Sequence, residues 1–478
     1  MATATQFEKL KTVHALWPAA ALAGIVALAL GLGLHLLGLK SFWLDEGVSA
    51  SVAQLPWSDF FKLLWRREAN MGLYYLLLRG WIHLGESEFT LRLLSVIFAV
   101  AAVVAVYVMG RRLFDRNTGL LAALLLALNA FHLRYAQEAR SYSLLILLVT
   151  LSTYCFVLLL ENPSRKRRVL YITISVLAFY SHFFALFVIV AQWIALVLWK
   201  REPRAKSQLV SSAVWIAALC FPGIVFLLLK NHGQLDWIPA PTFRSIYDSV
   251  ALFTGQAGPG LLIIYAVLCG FALIKASPSE RWTSRLLATW LVLPFALLLA
   301  ISVVKPLFVP RYAAMCLPAL VLLAAAGLRE LKVYWRSAAT IVLVVFSLFG
   351  IRNYYAGLPA ENQGWRELTR FVVANSVAGD QVIFENGIQR PVFEYYRGNS
   401  KWPQVLFPSH GEQFTYRDFE GYATAQVAES AEQHWRVWLI HSDSNAPELQ
   451  AALAARFREL QAKRFPAATA RIYLRRPK

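Results

Sequence analysis

The stretch LWPAAALAGIVALALGLGLHLLGL, residues 16–39, runs directly into KSFWLDEG, residues 40–47. An uncharged run of that length exceeds the roughly 20 residues that a helix needs to cross a bilayer, so it reads as a first membrane span. Asp45 and Glu46 then stand where the span meets water, among Phe42, Trp43, Leu44 and Gly47. A solvated charged pair at the hydrocarbon edge is also a plain helix stop, whereas the apolar, interfacial neighbours here suit a carboxylate that takes a proton. The span is longer than a secretory h-region and lacks a small-residue cleavage site before Asp45, so it is expected to be retained.

Composition supports the membrane reading, because hydrophobic residues make up 58% of the chain and charged residues only 16%. With a mean hydropathy of +0.49, an ordinary soluble surface is excluded. The net charge of +19 invites a nucleic-acid partner, yet residues 351–478 carry 16 Lys and Arg against 13 Asp and Glu, leaving +16 before them. That excess belongs to membrane loops, and no nucleic acid is expected.

Ten more apolar runs follow, at residues 92–110, 118–131, 141–160, 169–181, 183–199, 208–230, 258–275, 285–304, 311–328 and 337–350, giving about eleven spans. The runs at 118–131 and 169–181 fall below the roughly 17 residues of a full crossing. With the amino terminus inside, the basic loops Arg111 to Arg116, Arg165 to Arg168, Lys200 to Lys206, Lys275 to Arg285 and Arg329 to Arg336 all face the cytoplasm. Asp45, Glu46 and the carboxyl-terminal region are then extracytoplasmic, outside an inner (plasma) membrane. Cys155, Cys220, Cys269 and Cys316 all fall inside predicted spans, where neither disulfides nor a metal cage is expected.

Three outer segments carry the chemistry. Residues 40–91 mix Trp43, Trp57, Phe60, Phe61, Trp65, Tyr74, Tyr75 and Trp81 with scattered charges, the pattern of helices lying in the interface. Ser58-Asp59 offers one of them an N-cap, and Leu73 to Leu84 is too short to span. The second segment runs from Arg134 through Glu138 and Arg140 to Tyr142. If it is helical, Arg134, Glu138 and Tyr142 share a face, and a helix-end ion pair explains them as well as a functional cluster does. In the third, Pro310 suits a first helical turn, and Arg311 beside Tyr312 either snorkels to headgroups or meets a phosphate. Together they supply a base, cations for a leaving phosphate and an aromatic portal, the parts needed to move a sugar from a lipid phosphate.

These residues resemble a known family, the integral-membrane glycosyltransferases of GT-C type that include dolichyl-phosphate-mannose protein mannosyltransferases and bacterial aminoarabinose lipid A transferases. The resemblance covers most of residues 40–330. It rests on Phe42-Trp43-Leu44-Asp45-Glu46-Gly47, Leu73-Tyr74-Tyr75-Leu76-Leu77-Leu78-Arg79, Glu88 to Ser95 with its Leu91-Arg92-Leu93-Leu94-Ser95, Gln137-Glu138-Ala139-Arg140-Ser141-Tyr142 and Arg311-Tyr312. It implies that Asp45 is the catalytic base with Glu46 the adjoining acid, that Glu138 is the acid of the second outer turn, and that Arg311 and Tyr312 are the late arginine-tyrosine pair. It also implies an inverting single displacement from a polyprenyl-phosphate sugar to a glycan, lipid or protein hydroxyl, of hexosyltransferase type and without a covalent intermediate. Asn70-Met71-Gly72 departs from the two prolines of many relatives, and the lysine that the aminoarabinose transferases place nearby is absent. Arg66, Arg67 or Arg140 then substitutes in phosphate binding, beside Arg134, Tyr74 and Tyr75. No Trp-Trp-Asp-Tyr-Gly motif of the oligosaccharyltransferases occurs.

From residue 354 the pattern changes. Asp380 to Glu385, Arg436 to His441 and Arg471 to Leu474 read as strands, with helices at Trp365 to Asn375 and Pro447 to Phe465. The prediction is therefore a mainly α, polytopic helix bundle at 1–353 and a small extracytoplasmic α/β domain at 354–478. His410, His434 and His441 are too dispersed for a metal site; no cofactor is demanded, although a divalent cation is compatible with Asp45 or Glu138. A transporter or flippase for lipid-linked sugars, or a non-catalytic assembly protein, is the alternative. Ionisable residues gathered on one face, and a carboxyl-terminal third unlike the rest, favour the enzyme.

Overall fold

A computed structural model describes residues 2–198, 206–229, 238–408, 424–442 and 447–477, with side chains from Trp17 onward. The basic residues of the loop at 200–205, and His410, lie outside the described residues. Contacts divide the chain into two compact units. The first takes Met1–His35, Asn70–Tyr74 and Arg92–Ala356; the second takes Leu36–Ala69, Tyr75–Leu91 and Gly357–Lys478.

In chain order the helices of the apolar part are α1 (Ala2–Leu34), α2 (Leu44–Gln54), α3 (Trp57–Leu63), α4 (Gly72–Trp81), α5 (Glu88–Leu113), α6 (Arg116–Ala127), α7 (Ala130–Ala136) and α8 (Tyr142–Glu161). They continue with α9 (Arg165–Ser181), α10 (Ala185–Leu198), α11 (Lys206–Leu229), α12 (Phe243–Phe253), α13 (Pro259–Ile274), α14 (Arg281–Val304), α15 (Leu317–Arg329) and α16 (Val333–Glu361). Among the described residues, each of the eleven apolar runs is mostly helical. Among the described residues seven helical segments are long and apolar enough to cross a membrane, and α6 with α7, bent by 63°, makes an eighth if the pair is one span. The helices α10 and α13 are apolar but shorter, and α9 has 17 residues. This is a multi-pass membrane protein. The bend has a local cause: Asn129 caps α7, its side chain accepting the His132 N–H at 3.0 Å.

Within the first unit, lipid takes the place of water as the outer solvent. Val214, Trp215, Leu219, Phe221 and Leu228 of α11 are exposed, as expected where tails are as apolar as the side chains. Helices then associate through small residues and buried polar pairs. A Cβ on Gly327 of α15 would lie 2.0 Å from the Leu268 carbonyl oxygen of α13, so only glycine permits that approach. Gln192 of α10 accepts from the Tyr171 hydroxyl of α9 at 2.8 Å and donates to Thr153 of α8 at 3.1 Å.

The second unit holds α2, α3 and a mixed sheet. Its later elements are α17 (Trp365–Ala374), β1 (Gln381–Phe384), α18 (Gln389–Arg397), β2 (Gln404–Phe407), α19 (Thr424–Ala431), β3 (Arg436–His441), α20 (Pro447–Arg456), β4 (Phe457–Arg464) and β5 (Thr469–Arg475). The strand order is β2-β1-β3-β5-β4, with β1 parallel to β2 and β3, and β5 antiparallel to β3 and β4. Ile383, Val437, Leu439, Leu449, Leu453, Phe457 and Tyr473 form its core.

Three local expectations are corrected. The helix read as Pro447 to Phe465 ends at Arg456 and becomes β4, an edge strand whose Phe457 is buried while the following residues are exposed. Pairing with β5 overrides the helix-forming residues, and the charged Arg458, Glu459, Lys463 and Arg464 suit an edge. Helix α3 starts at Trp57 after Pro56, so Ser58 and Asp59 lie in its first turn and provide no side-chain cap. Finally, Arg134 to Tyr142 is not one helix: α7 stops at Ala136, the chain turns through Glu138 to Arg140, and α8 begins at Tyr142. The break follows Gln137, whose amide donates to the Gly33 and His35 carbonyls at 2.9 and 2.7 Å while its oxygen accepts from Tyr354 at 2.8 Å.

Candidate active site

The second unit holds the paired acids. Asp45 and Glu46 occupy the first turn of α2, where the helix dipole favours negative charge. Asp45 is half-buried and Glu46 fully buried. The approach to this turn is held in place. The Phe42 N–H donates to the Tyr396 hydroxyl at 2.6 Å; Tyr396 in turn donates to Glu88, and Arg366 grips Glu88 at 2.7 Å. Ser41 donates to Asn362 at 2.7 Å. Burial, reinforced by the bond to Glu88, pushes the Tyr396 hydroxyl well above the usual tyrosine range, so it stays a donor. Tyr75 is buried and bonds Glu68 at 2.9 Å, while Arg66 is exposed and Arg67 half-buried on the π-helical turn Leu64–Glu68.

The first unit gathers the other named residues. Tyr135 lies within electrostatic reach of Glu138, Tyr142, Arg134 and Arg311, and His182 within reach of Arg140 and Arg311. Arg134 lies over the Tyr354 ring at 5.3 Å, and Arg311 over Tyr312 at 5.7 Å. Tyr312 packs against Phe184 and His182 at 4.8 and 5.5 Å. Tyr74 is buried, its hydroxyl 3.0 Å from Ser95, which donates to the Arg140 carbonyl at 3.2 Å. Arg134 and Arg311 are thus near Tyr135, and Arg140 and Arg311 near His182, and guanidinium groups beside aromatic rings have the donor geometry that an anion with several acceptor oxygens calls for. Thus Arg134, Glu138, Arg140, Arg311, Tyr312 and Tyr74 belong to one unit, and Asp45, Glu46, Tyr75, Arg66 and Arg67 to the other.

Several residues were missed in the sequence. Asn70, noted only as a departure from the family pattern, accepts the Phe183 N–H at 2.9 Å and lies 3.4 Å from His182. His182 carried no signal beyond being a histidine between two apolar runs. Glu88 stands in the motif Glu88 to Ser95, but its links to Arg366 and Tyr396 span a sequence separation that no local pattern reports.

A multi-pass helical membrane unit, which carries the arginines, and a unit with a small mixed sheet, which carries the paired acids, make up a fold of GT-C type. Residues 72–226 match the family model described as dolichyl-phosphate-mannose-protein mannosyltransferase, which bears out the resemblance read from the motifs. Apo ArnT from Cupriavidus metallidurans is similar with a TM-score of 0.66 and 13% identity, over 94% of this chain and 97% of that one. The same protein bound to undecaprenyl phosphate gives a TM-score of 0.63 at 13% identity, with the same coverage of 94% and 97%. The Archaeoglobus fulgidus oligosaccharyltransferase tethered to an acceptor peptide gives 0.57 and 11%, over 92% of this chain and 70% of that one. At such identities the likeness is one of fold. Among curated proteins, none matches the chain by sequence.

Proposed function

We propose that the protein transfers a sugar from a polyprenyl-phosphate donor to a hydroxyl of a glycan, lipid or protein acceptor on the extracytoplasmic face of the membrane. The observation that carries this reading is that Arg134, Arg140 and Arg311, from segments far apart in sequence, lie within electrostatic reach of the linked rings Tyr135, Tyr142 and His182. Guanidinium groups match phosphate oxygens and stay charged near lipid, so they stabilise the leaving lipid phosphate as the anomeric bond breaks. Asp45 takes the proton of the acceptor hydroxyl as that oxygen attacks the anomeric carbon from the face opposite the phosphate. One displacement inverts the configuration. Glu46 adjoins the base, Tyr74 and Tyr75 brace the aromatic side, and Arg66 and Arg67 supply further cations. The scheme runs without a metal.

The positive-inside bias supports a cytoplasmic amino terminus and an extracytoplasmic carboxyl-terminal domain. The likeness to a structure holding undecaprenyl phosphate supports the donor class. The test is incubation of the purified full chain in lipid nanodiscs with a panel of polyprenyl-phosphate and nucleotide sugars and mixed acceptors, following release of polyprenyl phosphate. Release with lipid-linked donors only is expected; turnover of nucleotide sugars, or none of lipid-linked ones, overturns the reading.

A further inference from the structure

The entry of α10 is capped by side chains from outside that helix. The N–H groups of Phe183 and Phe184 stand ahead of Ala185, where no turn of the helix reaches back to supply a carbonyl. Asn70, two residues before α4, accepts the Phe183 N–H through Oδ1 at 2.9 Å. The Phe184 N–H donates to Nδ1 of His182 at 3.3 Å. A backbone N–H only donates, so the first bond assigns the Asn70 amide: its nitrogen is the atom that lies 3.4 Å from His182 Nε2.

Two donors therefore face the two nitrogens of a buried imidazole. A neutral ring has one lone pair and one N–H, whereas an imidazolium has two N–H groups and no lone pair. Protonation would set donor against donor at both nitrogens, so the setting takes the ring uncharged. Burial opposes the charge as well, and so do Arg140 and Arg311.

The ring also packs against aromatic neighbours. Its centroid lies 5.9 Å from that of Tyr142, 5.5 Å from Tyr312 and 5.0 Å from Phe184, and Phe184 meets Tyr312 edge-on at 4.8 Å. Tyr142 follows Arg140 by two residues, and Tyr312 follows Arg311 directly. One imidazole thus touches the chain neighbours of two arginines that are far apart in sequence. A phosphate shared by two guanidinium groups depends on the spacing between them, and a misplacement of about 1 Å costs up to about 10²-fold in rate.

Resting on the transferase reading above, we propose that Asn70 and His182 are positioning residues for the donor phosphate. Asn70 fixes the turn before α10 and the orientation of the imidazole, and the imidazole spaces the segments of Arg140 and Arg311 so that both meet one phosphate.

The test uses the full chain in nanodiscs, with 3-fluorotyrosine placed at Tyr142 or at Tyr312 and affinity for undecaprenyl phosphate measured alongside. Asn70→Ala and His182→Ala are each expected to shift the fluorine resonance at both tyrosines and to weaken undecaprenyl phosphate about tenfold. His182→Phe, which keeps a ring between the tyrosines but has no nitrogen, guards against simple collapse and is expected to weaken it as Asn70→Ala does. Because Asn70 acts through His182, the double alanine variant is expected to bind no more weakly than His182→Ala alone. Partial unfolding lowers the active fraction and leaves the affinity of the folded remainder unchanged, so a weakened affinity reports position. Unmoved fluorine resonances, undiminished affinity in Asn70→Ala, or losses that multiply in the double variant overturn the proposal. Wild type that binds undecaprenyl phosphate but turns over no lipid-linked sugar overturns the transferase reading instead, and the variants' affinities then decide the positioning role alone.

Discussion

Gly47 lies directly against Val392: a Cβ on this glycine would come within 2.5 Å of the Val392 Cβ, 2.7 Å of its Cα and 2.8 Å of its nitrogen. The helix carrying Asp45 and Glu46 is thus packed against α18, and glycine after the two acids is what permits it. Gly47→Val is expected to destabilise the protein by about 1–3 kcal/mol through overpacking, and to lower turnover with it. Since two of the three nearest atoms are backbone, adding Val392→Ala is not expected to restore the melting temperature; full rescue would contradict the packing.

The link from Phe42 through Tyr396 and Glu88 to Arg366 holds the chain before α2. Tyr396→Phe removes the acceptor of the Phe42 N–H and a donor to the half-buried Glu88 carboxylate, a loss of about 1–3 kcal/mol. A fall in both melting temperature and kcat is expected. An unaltered kcat would show that the link does not position the acids.

Much of this was legible, and the exceptions have physical causes. Apolar runs report helices in lipid because each backbone polar group there must be satisfied within its own segment. β1, β3 and β5 were readable from buried Val, Ile and Leu runs, since Val382, Ile383, Val437 and Leu439 are fully buried. β4 was not, because Phe457 to Arg464 takes its strand form from pairing with β5 rather than from its own residues. In the candidate site, residue type marked Asp45, Glu138 and Arg311, whereas the role of Asn70 at Phe183 and the reason for Gly47 depend on contacts between distant segments.

Arg329, at the end of α15, bonds Glu280 at 2.6 Å and Glu330 at 3.0 Å. The bond from Arg329, and less so that from Ser277, holds the Glu280 carboxyl below its ordinary value of 4.5 against the opposing effect of burial. A depressed folded-state value means that the contribution is present above pH 4.5 and is lost as pH falls through the lowered one. Wild type is expected to lose melting temperature more steeply than Glu280→Gln over that acid range. Parallel curves would contradict the linkage.

Arg311 and Tyr312 bear on the donor. Arg311→Lys keeps charge but loses the planar fork that pairs with two phosphate oxygens. A fall of about 10²–10³ in kcat/KM for the lipid-linked donor is expected, with melting temperature retained. Equal activity of the lysine variant would mean that Arg311 meets only headgroups.

Asp45→Asn tests the central claim most directly. Turnover is measured as glycosylated acceptor and released polyprenyl phosphate, with donor binding measured alongside on the same full chain. Loss of a positioned base is expected to lower kcat by about 10²–10⁴ while donor affinity and melting temperature stay at wild-type values. Transfer at the wild-type rate by Asp45→Asn would contradict the account.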